Sequence, residues 1–409
     1  MLNTFTKKMP WVVASILVAT SIFGDAKELA ADSTNCRPKP VEQKPCPQPK
    51  PCPPKPCCEP VPQIQLMPAY NAPARIDVRG SWDLIVGASF IYWEAMQDDM
   101  DFATSVVNSS GTSFSTTAGA NTTAKIIGHD FSYKPGFKIL AGMNFDHDHW
   151  EGLAEYTWFS SKTTTSANKE TVPSGQSSTI MPTKGNPGLV RNGGFNSANQ
   201  KWNLSYQALN TVLARTYYVG KNFTFRSMFG PRFAWFSQSK EQAFLGSFGA
   251  GTGTNPSNLI SANFNEKQSF SSWGAGLVAG VDTSWIIGEG FRLIGNGSFD
   301  ILYTRVQTTN AKDNLTAIVA PTVHTIFAFQ DARPDFLMAH SNLEFGFGWG
   351  TYFDCNNWHI DLFATYCFQT FWGANLFRQF NDVTQRANSR LSDANLYMHG
   401  LTTGLRLDF

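Results

Sequence analysis

Two short stretches carry the residue types of catalysis or metal binding. Asp146-His147-Asp148-His149 alternates carboxylates and imidazoles, a donor set suited to a divalent transition metal. His129-Asp130 places a base beside an acid, half of a hydrolytic constellation, but no nucleophile is positioned next to it. The chain has no G-x-S-x-G, H-E-x-x-H or P-loop motif. The tetrad falls where the pattern expects a short polar turn, and the dyad falls in a long loop. The chain is therefore read as a non-enzyme with no cofactor and no metal.

A third set is five cysteines, Cys36, Cys46, Cys52, Cys57 and Cys58, inside CRPKPVEQKPCPQPKPCPPKPCCEPVP (36–62). Half of the 22 Pro of the chain lie there. Proline donates no backbone hydrogen bond and fixes φ, so the run predicts an extended, stiff tether. The uneven spacing and the adjacent Cys57-Cys58 do not fit a C-x₂-C zinc pattern. A stiff tether cannot fold back to pair all five, so intermolecular disulfides, to envelope proteins or to a second copy, are the favoured reading. Metal binding and silent, unpaired thiols stay open as alternatives. Cys355, in a predicted turn, joins the set as a cross-linking candidate. Cys367 reads as a small interior residue.

The elements that would position these residues begin with an export signal. Lys7 and Lys8 precede an apolar run from Trp11 to Phe23, and Gly24-Asp25-Ala26 supplies small residues for a cut after Ala26. As a membrane anchor the run is short of the ~20 residues a spanning helix needs. Residues 27–80 follow as the Cys/Pro-rich tether and 81–409 as the folded part.

Across 81–409 apolar residues recur with period two. Leu84, Val86, Ala88, Phe90 and Tyr92 share one face. Phe137, Ile139, Ala141, Met143 and Phe145 share the next. The series continues through Trp150–Trp158, Trp202–Ala208, Phe223–Trp235, Trp273–Trp285, Phe291–Tyr303, Leu337–Trp349, Trp358–Phe368 and Tyr397–Phe409. Each stretch predicts a strand with one apolar face. The connections alternate between short polar turns and long loops over about 94–133, 161–200, 238–269, 306–334 and 373–395, the asymmetry of an outer-membrane barrel. Mean hydropathy is only −0.22 because the two faces cancel. The expected fold is all-β: a transmembrane antiparallel β-barrel of ten strands, or twelve if 306–334 hides a pair. A soluble β-sandwich explains the alternation but not the signal, the loop asymmetry and the terminal Phe409 together. Phe409 is read as the assembly signal that addresses the barrel-assembly machinery, and outer-membrane lipid as the medium. Tryptophans 150, 158, 202, 235, 273, 285, 349 and 358 sit at strand ends and suggest two aromatic girdles.

The opposite faces of these strands define a candidate lumen: Lys138, Glu151, Glu155, Arg215, Arg226, Arg232, Asp282, Arg292, Asp300, Glu344, Asp361 and Arg406, with Asn203, Gln207, His340 and His359 among its polar neighbours. Both charge signs are present, so such a lumen is hydrated and at most weakly selective. Ten strands enclose a narrow space, and a filled lumen braced by ion pairs is the competing expectation. A net charge of +1 without a basic cluster argues against nucleic acid as a partner. The outer loops, such as VVNSSGTSFSTTAGANTT (106–123), are polar and tolerant of change; Asn381 to Asn395 has helical composition and is a candidate to fold inward.

PGFKILAGMNFDHDHWEGLAEYTWFSS (135–161), GAGLVAGVDTSWIIGEGFRLIGNGSF (274–299) and the ending GLRLDF are similar to the Legionella-type major outer membrane proteins, a pore-forming family with relatives among chlamydia-like bacteria. The resemblance spans about 81–409. It implies an abundant porin-like barrel in the outer membrane. The Cys/Pro-rich tether departs from the family pattern and is similar instead to the disulfide-linked envelopes of chlamydial relatives. The expected function is passive diffusion of small hydrophilic solutes, with a structural share through disulfides. A non-conducting surface adhesin or antigen is the alternative.

Overall fold

The computed structural model describes residues 72–79, 83–108, 122–145, 148–183, 194–246, 262–317, 323–331, 335–380 and 389–409. The predicted signal, the five tether cysteines, Asp146 and His147 lie outside the described residues. Every element among the described residues is a strand. In chain order these are β1 (Leu84–Gln97), β2 (Ala103–Asn108), β3 (Thr122–Ile127), β4 (Tyr133–Asn144), β5 (Trp150–Asn168), β6 (Ser177–Pro182), β7 (Ser197–Tyr218) and β8 (Phe223–Leu245). Then come β9 (Ala262–Gly288), β10 (Phe291–Ala317), β11 (Val323–Asp331), β12 (Phe336–Phe353), β13 (Trp358–Phe371), β14 (Arg378–Phe380), β15 (Ser389–Leu391) and β16 (Leu396–Asp408).

Ten of them close a ring in the order β1-β4-β5-β7-β8-β9-β10-β12-β13-β16, with β16 returning to β1. Every pairing is antiparallel, and closure leaves no strand edge in the bilayer. The alternative of twelve is not what forms. In the 306–334 stretch, β11 pairs only with the upper part of β10, above the ring. The short turns use left-handed residues: Glu289 and Gly290 at φ 51° and 83° in a two-residue hairpin, and Asp148 and His149 at 63° and 59° in the connection between β4 and β5.

One belt of the outer wall is apolar. Leu277 is 73% exposed, Phe347 66% and Trp285 60%, values a water-soluble sheet would not tolerate together. On β9 this belt runs from Trp285 up to Trp273, which pairs in register with Trp235 of β8. Twelve residues at ~3.4 Å each and ~45° of tilt give a height of about 29 Å, close to a bilayer core.

Above that level the long strands β7 to β10 project outward from the membrane. There β2, β3 and β6 form a small sheet that packs on them through Phe102, Ile180, Phe195, Phe244 and Phe264. The segment Asn381–Asn395 is not a helix where it is described: β15 lies in it, paired with β14. The inward-folding part lies just before it, at Ala374 to Phe377, all buried.

Candidate functional site: the barrel lumen

Strand alternation decides which side chains enter the lumen, and closure brings distant strands face to face. In the lower half the interior is a stack of paired charges. Arg406 donates from Nε and Nη2 to Asp408 Oδ1 at 2.9 and 2.7 Å, and Asp408 Oδ2 meets His359 Nδ1 at 3.3 Å. Arg292 pairs with Asp361. Arg226 pairs with Asp282, and its Nε donates to Glu151 at 3.2 Å. Lys138 sits between Glu155 (3.7 Å) and Glu344 (3.5 Å), with its ammonium 5.4 Å above the Trp93 ring. Highest in the stack, Arg232 donates to Asp300 at 2.9 Å and to the Tyr206 hydroxyl at 2.7 Å; His340 Nδ1 meets the same Asp300 oxygen at 2.6 Å.

These groups surround a cavity of about 320 Å³ lined by Lys138, Arg226, Asp282, Arg292, Glu344 and Asp361 among others. Arg226 Nη2, Asn296 Oδ1, Asp361 Oδ1 and Thr365 Oγ1 are buried without a protein partner. Leaving such atoms dry costs about 1–3 kcal/mol each. The cavity far exceeds the ~10–15 Å³ a water needs, so the lower lumen is a wet, polar chamber.

Directly above, the interior turns apolar. Trp93, Phe159, Trp202, Tyr206, Phe236, Phe270, Leu302, Phe371 and Phe377 form one buried cluster. Tyr206 of β7 and Phe371 of β13 touch with ring centroids 5.5 Å apart, although their strands stand five places apart in a ring of ten. The cluster therefore crosses the lumen from wall to wall. The segment 374–377 seals it: Phe377 packs on Phe270 at 5.1 Å, and Asn375 donates to the Asp98 carbonyl at 3.0 Å. Gly400 (φ 150°) makes room for Trp93; a Cβ there would collide with the Tyr92 carbonyl and reach the Trp93 Cα at 2.8 Å.

A family model for the Legionella pneumophila major outer membrane protein precursor matches residues 77–409. The chain belongs to this family. Family and fold together place it in the bacterial outer membrane. No curated protein sequence matches the chain. Among solved structures it is similar to the Escherichia coli outer membrane protease OmpT at 10% identity and TM-score 0.30, covering 80% of this chain and 96% of that one. It is also similar to a Pseudomonas aeruginosa FadL homologue at 9% identity and TM-score 0.24, with 80% and 89% covered.

Eleven of the twelve charged residues assigned to the lumen from the sequence stand on the inner face: Lys138, Glu151, Glu155, Arg226, Arg232, Asp282, Arg292, Asp300, Glu344, Asp361 and Arg406. Arg215 does not. It has the parity opposite to buried Ala214 and pairs outside with Asp148 at 3.0 Å. On β7 the expected faces are exchanged. Trp202, Leu204, Tyr206 and Ala208 point inward and are 0–1% exposed, while Asn203 and Gln207 lie on the outer wall. Gln207 is level with Trp158 and Trp235, so this part of β7 stands at and above the upper membrane boundary. There the outer wall meets water and the inner wall meets the aromatic plug. Trp202 belongs to that plug and not to a girdle; its indole donates to Gln238.

His129 does not form a dyad with Asp130. Its Nε2 lies 2.7 Å from the Thr163 hydroxyl, and its ring packs against Phe131 and Trp202. Burial in this outer loop pushes its pKa down to about 4, against a smaller opposing pull from Asp130. Cys355 is an exposed thiol in the turn between β12 and β13, and Cys367 is buried in the lumen. Phe409 stacks on Trp358 at 5.0 Å and exchanges backbone hydrogen bonds with Leu84, which locks the last strand to the first.

Proposed function

We propose that this barrel is a diffusion pore for small hydrophilic solutes, closed at its outer half in the conformation described. The wet, charge-lined chamber carries this reading. A wall needed only to brace a barrel would not leave buried polar atoms facing a cavity of about 320 Å³. Its lining holds five cationic side chains, Lys138, Arg226, Arg232, Arg292 and Arg406, and four carboxylates, Glu155, Asp282, Glu344 and Asp361, with Glu151, Asp300 and Asp408 paired to these cations just behind the surface. Charge so nearly balanced implies at most weak selectivity. Passage requires the plug segment 374–377 to withdraw from Phe270 and from its hydrogen bond to Asp98.

A second reading, a non-conducting surface barrel, is favoured by the plug itself. Trp93, Phe159, Trp202 and Phe236 come from the wall, so loop movement alone does not remove them. Planar-bilayer recording of the refolded mature chain separates the two. Repeated unitary steps support the pore; a folded, inserted barrel without steps supports the surface role.

The structural share through disulfides is part of the same proposal. Cys355 is exposed at the end of the barrel that carries the short turns, and the five tether cysteines precede the barrel in sequence. Non-reducing gels of native envelopes should show high-mass species that vanish with reductant and with Cys-to-Ser changes at 36–58. Unchanged migration would remove this share and leave the pore reading intact.

A further inference from the structure

Residues 72–79 share the tether's stretch of sequence, yet they are docked on the barrel. Pro73 bridges Tyr217 in antiparallel fashion: Ala74 N donates to Thr216 O at 3.1 Å and Tyr218 N to Ala72 O at 2.8 Å. Arg75 Nη1 donates to the Phe145 carbonyl at 3.1 Å. Further on, Asp77 N meets the Tyr352 hydroxyl at 3.4 Å and Arg79 N donates to Asn356 O at 2.9 Å. The segment thus starts at the end of β7 and finishes at the β12–β13 turn.

Chain length decides the route between those points. Around the rim, the β12–β13 turn lies between four and five strands from β7. Each step is ~4.8 Å across the strands, or about 6–7 Å along a rim of strands tilted 35–45°, so the rim path is about 27–31 Å. From Pro73 to Arg79 six residue steps of at most ~3.6 Å reach only about 22 Å. A ring of ten such steps has a diameter of about 20 Å. The segment must therefore cross the mouth as a chord. Val78 is buried there, 7% exposed. Tyr352, which holds Asp77, packs on the His359 ring at 4.7 Å, and His359 in turn contacts Asp408 at the floor of the charged stack.

We infer that residues 72–79 are a strap across the periplasmic mouth and act as the inner gate of the lumen. This rests on the pore reading for its physiological sense, but the barrier itself is independent of it. Among the described residues the strap is fastened by one backbone bridge at one end, by Arg75 and by scattered hydrogen bonds elsewhere, a low-stability attachment compared with the continuous ladders of the wall. It can therefore undock without disturbing the barrel. Because it continues the chain that carries the tether, whatever holds the tether acts on the gate.

The test compares the full mature chain with one in which 72–79 is replaced by eight Gly and Ser residues, each shown to be folded by heat-dependent gel mobility. Asn296→Cys is introduced into both as a reporter in the chamber, and its labelling by a small charged thiosulfonate is read as the increment over the chain without it. The strap replacement should label several-fold faster, and where channels are seen its unitary current should rise. Faster labelling with no current in either chain keeps the gate and removes the pore reading. Equal labelling rates in two folded chains overturn the gate. If the replacement does not fold, Arg75→Ala is measured instead by the same criterion.

Discussion

The lower and upper halves of this barrel solve opposite problems with the same strand alternation. In the lower half the outer wall is apolar, with Leu277, Phe345 and Phe347 facing lipid, and the inner wall is charged. In the upper half β7 shows Asn199 and Asn203 outside, bonded to Ser166 and Ser239, and Trp202, Leu204 and Tyr206 inside. The pleat is continuous; only the medium changes. An apolar face therefore marks the side away from water, and that side switches where the wall leaves the bilayer.

Trp202→Ala and Asn203→Leu, adjacent on β7, break this comparison most directly. Emptying the Trp202 site should cost about 3–5 kcal/mol, whereas Asn203→Leu on the wet outer wall should stay within about 0.5 kcal/mol. Urea unfolding in micelles reads both, and equal effects would refute the exchange of faces. Next in size is Leu277→Arg on the lipid side, expected to lose about 2 kcal/mol in a bilayer because it lies inside the apolar belt, about a third of the way from Trp273 to Trp285. A neutral result would place β9 at the wrong depth.

His129 sharpens the account of the upper half. Its pKa is about 4 in the folded protein and ~6.5 when exposed, so the unfolded chain takes up the proton first as pH falls. Stability contributed by the neutral, buried ring is present above about pH 6.5 and is lost progressively toward pH 4. The unfolding midpoint should drop over that window, and His129→Gln, which can still bond Thr163, should flatten the drop. A smaller effect belongs to the lower half: Arg292→Gln removes one lumen cation and should raise cation preference in reversal-potential measurements. Unchanged selectivity would mean that ions do not pass this layer.

Most of the wall was legible in the sequence because lipid imposes period two with little ambiguity. The ten strands, their short turns and eleven lumen charges follow from parity alone, as at Lys138 and Glu155. Arg215 was misplaced because an arginine near a turn can satisfy itself outside, here with Asp148. The faces of β7 were exchanged because hydropathy carries no record of membrane height. The strap was hidden for a different reason. Its docking uses backbone groups of Ala72, Ala74 and Arg79, which no side-chain pattern announces. The signal for the plug was present but displaced: Ala374–Phe377 is a short apolar run just before the segment read as inward-folding.

Single-channel recording tests the central claim most directly, with the chain from Lys27 beside a variant carrying Phe371→Ser and Phe377→Ser, which removes both the wall-to-wall ring contact with Tyr206 and the seal on Phe270. A polar chamber closed by an apolar plug predicts unitary, weakly selective steps that are rare in the parent and longer-lived or larger in the variant. A folded and inserted variant that passes no current would contradict the pore and leave the barrel as a closed scaffold for its outer loops.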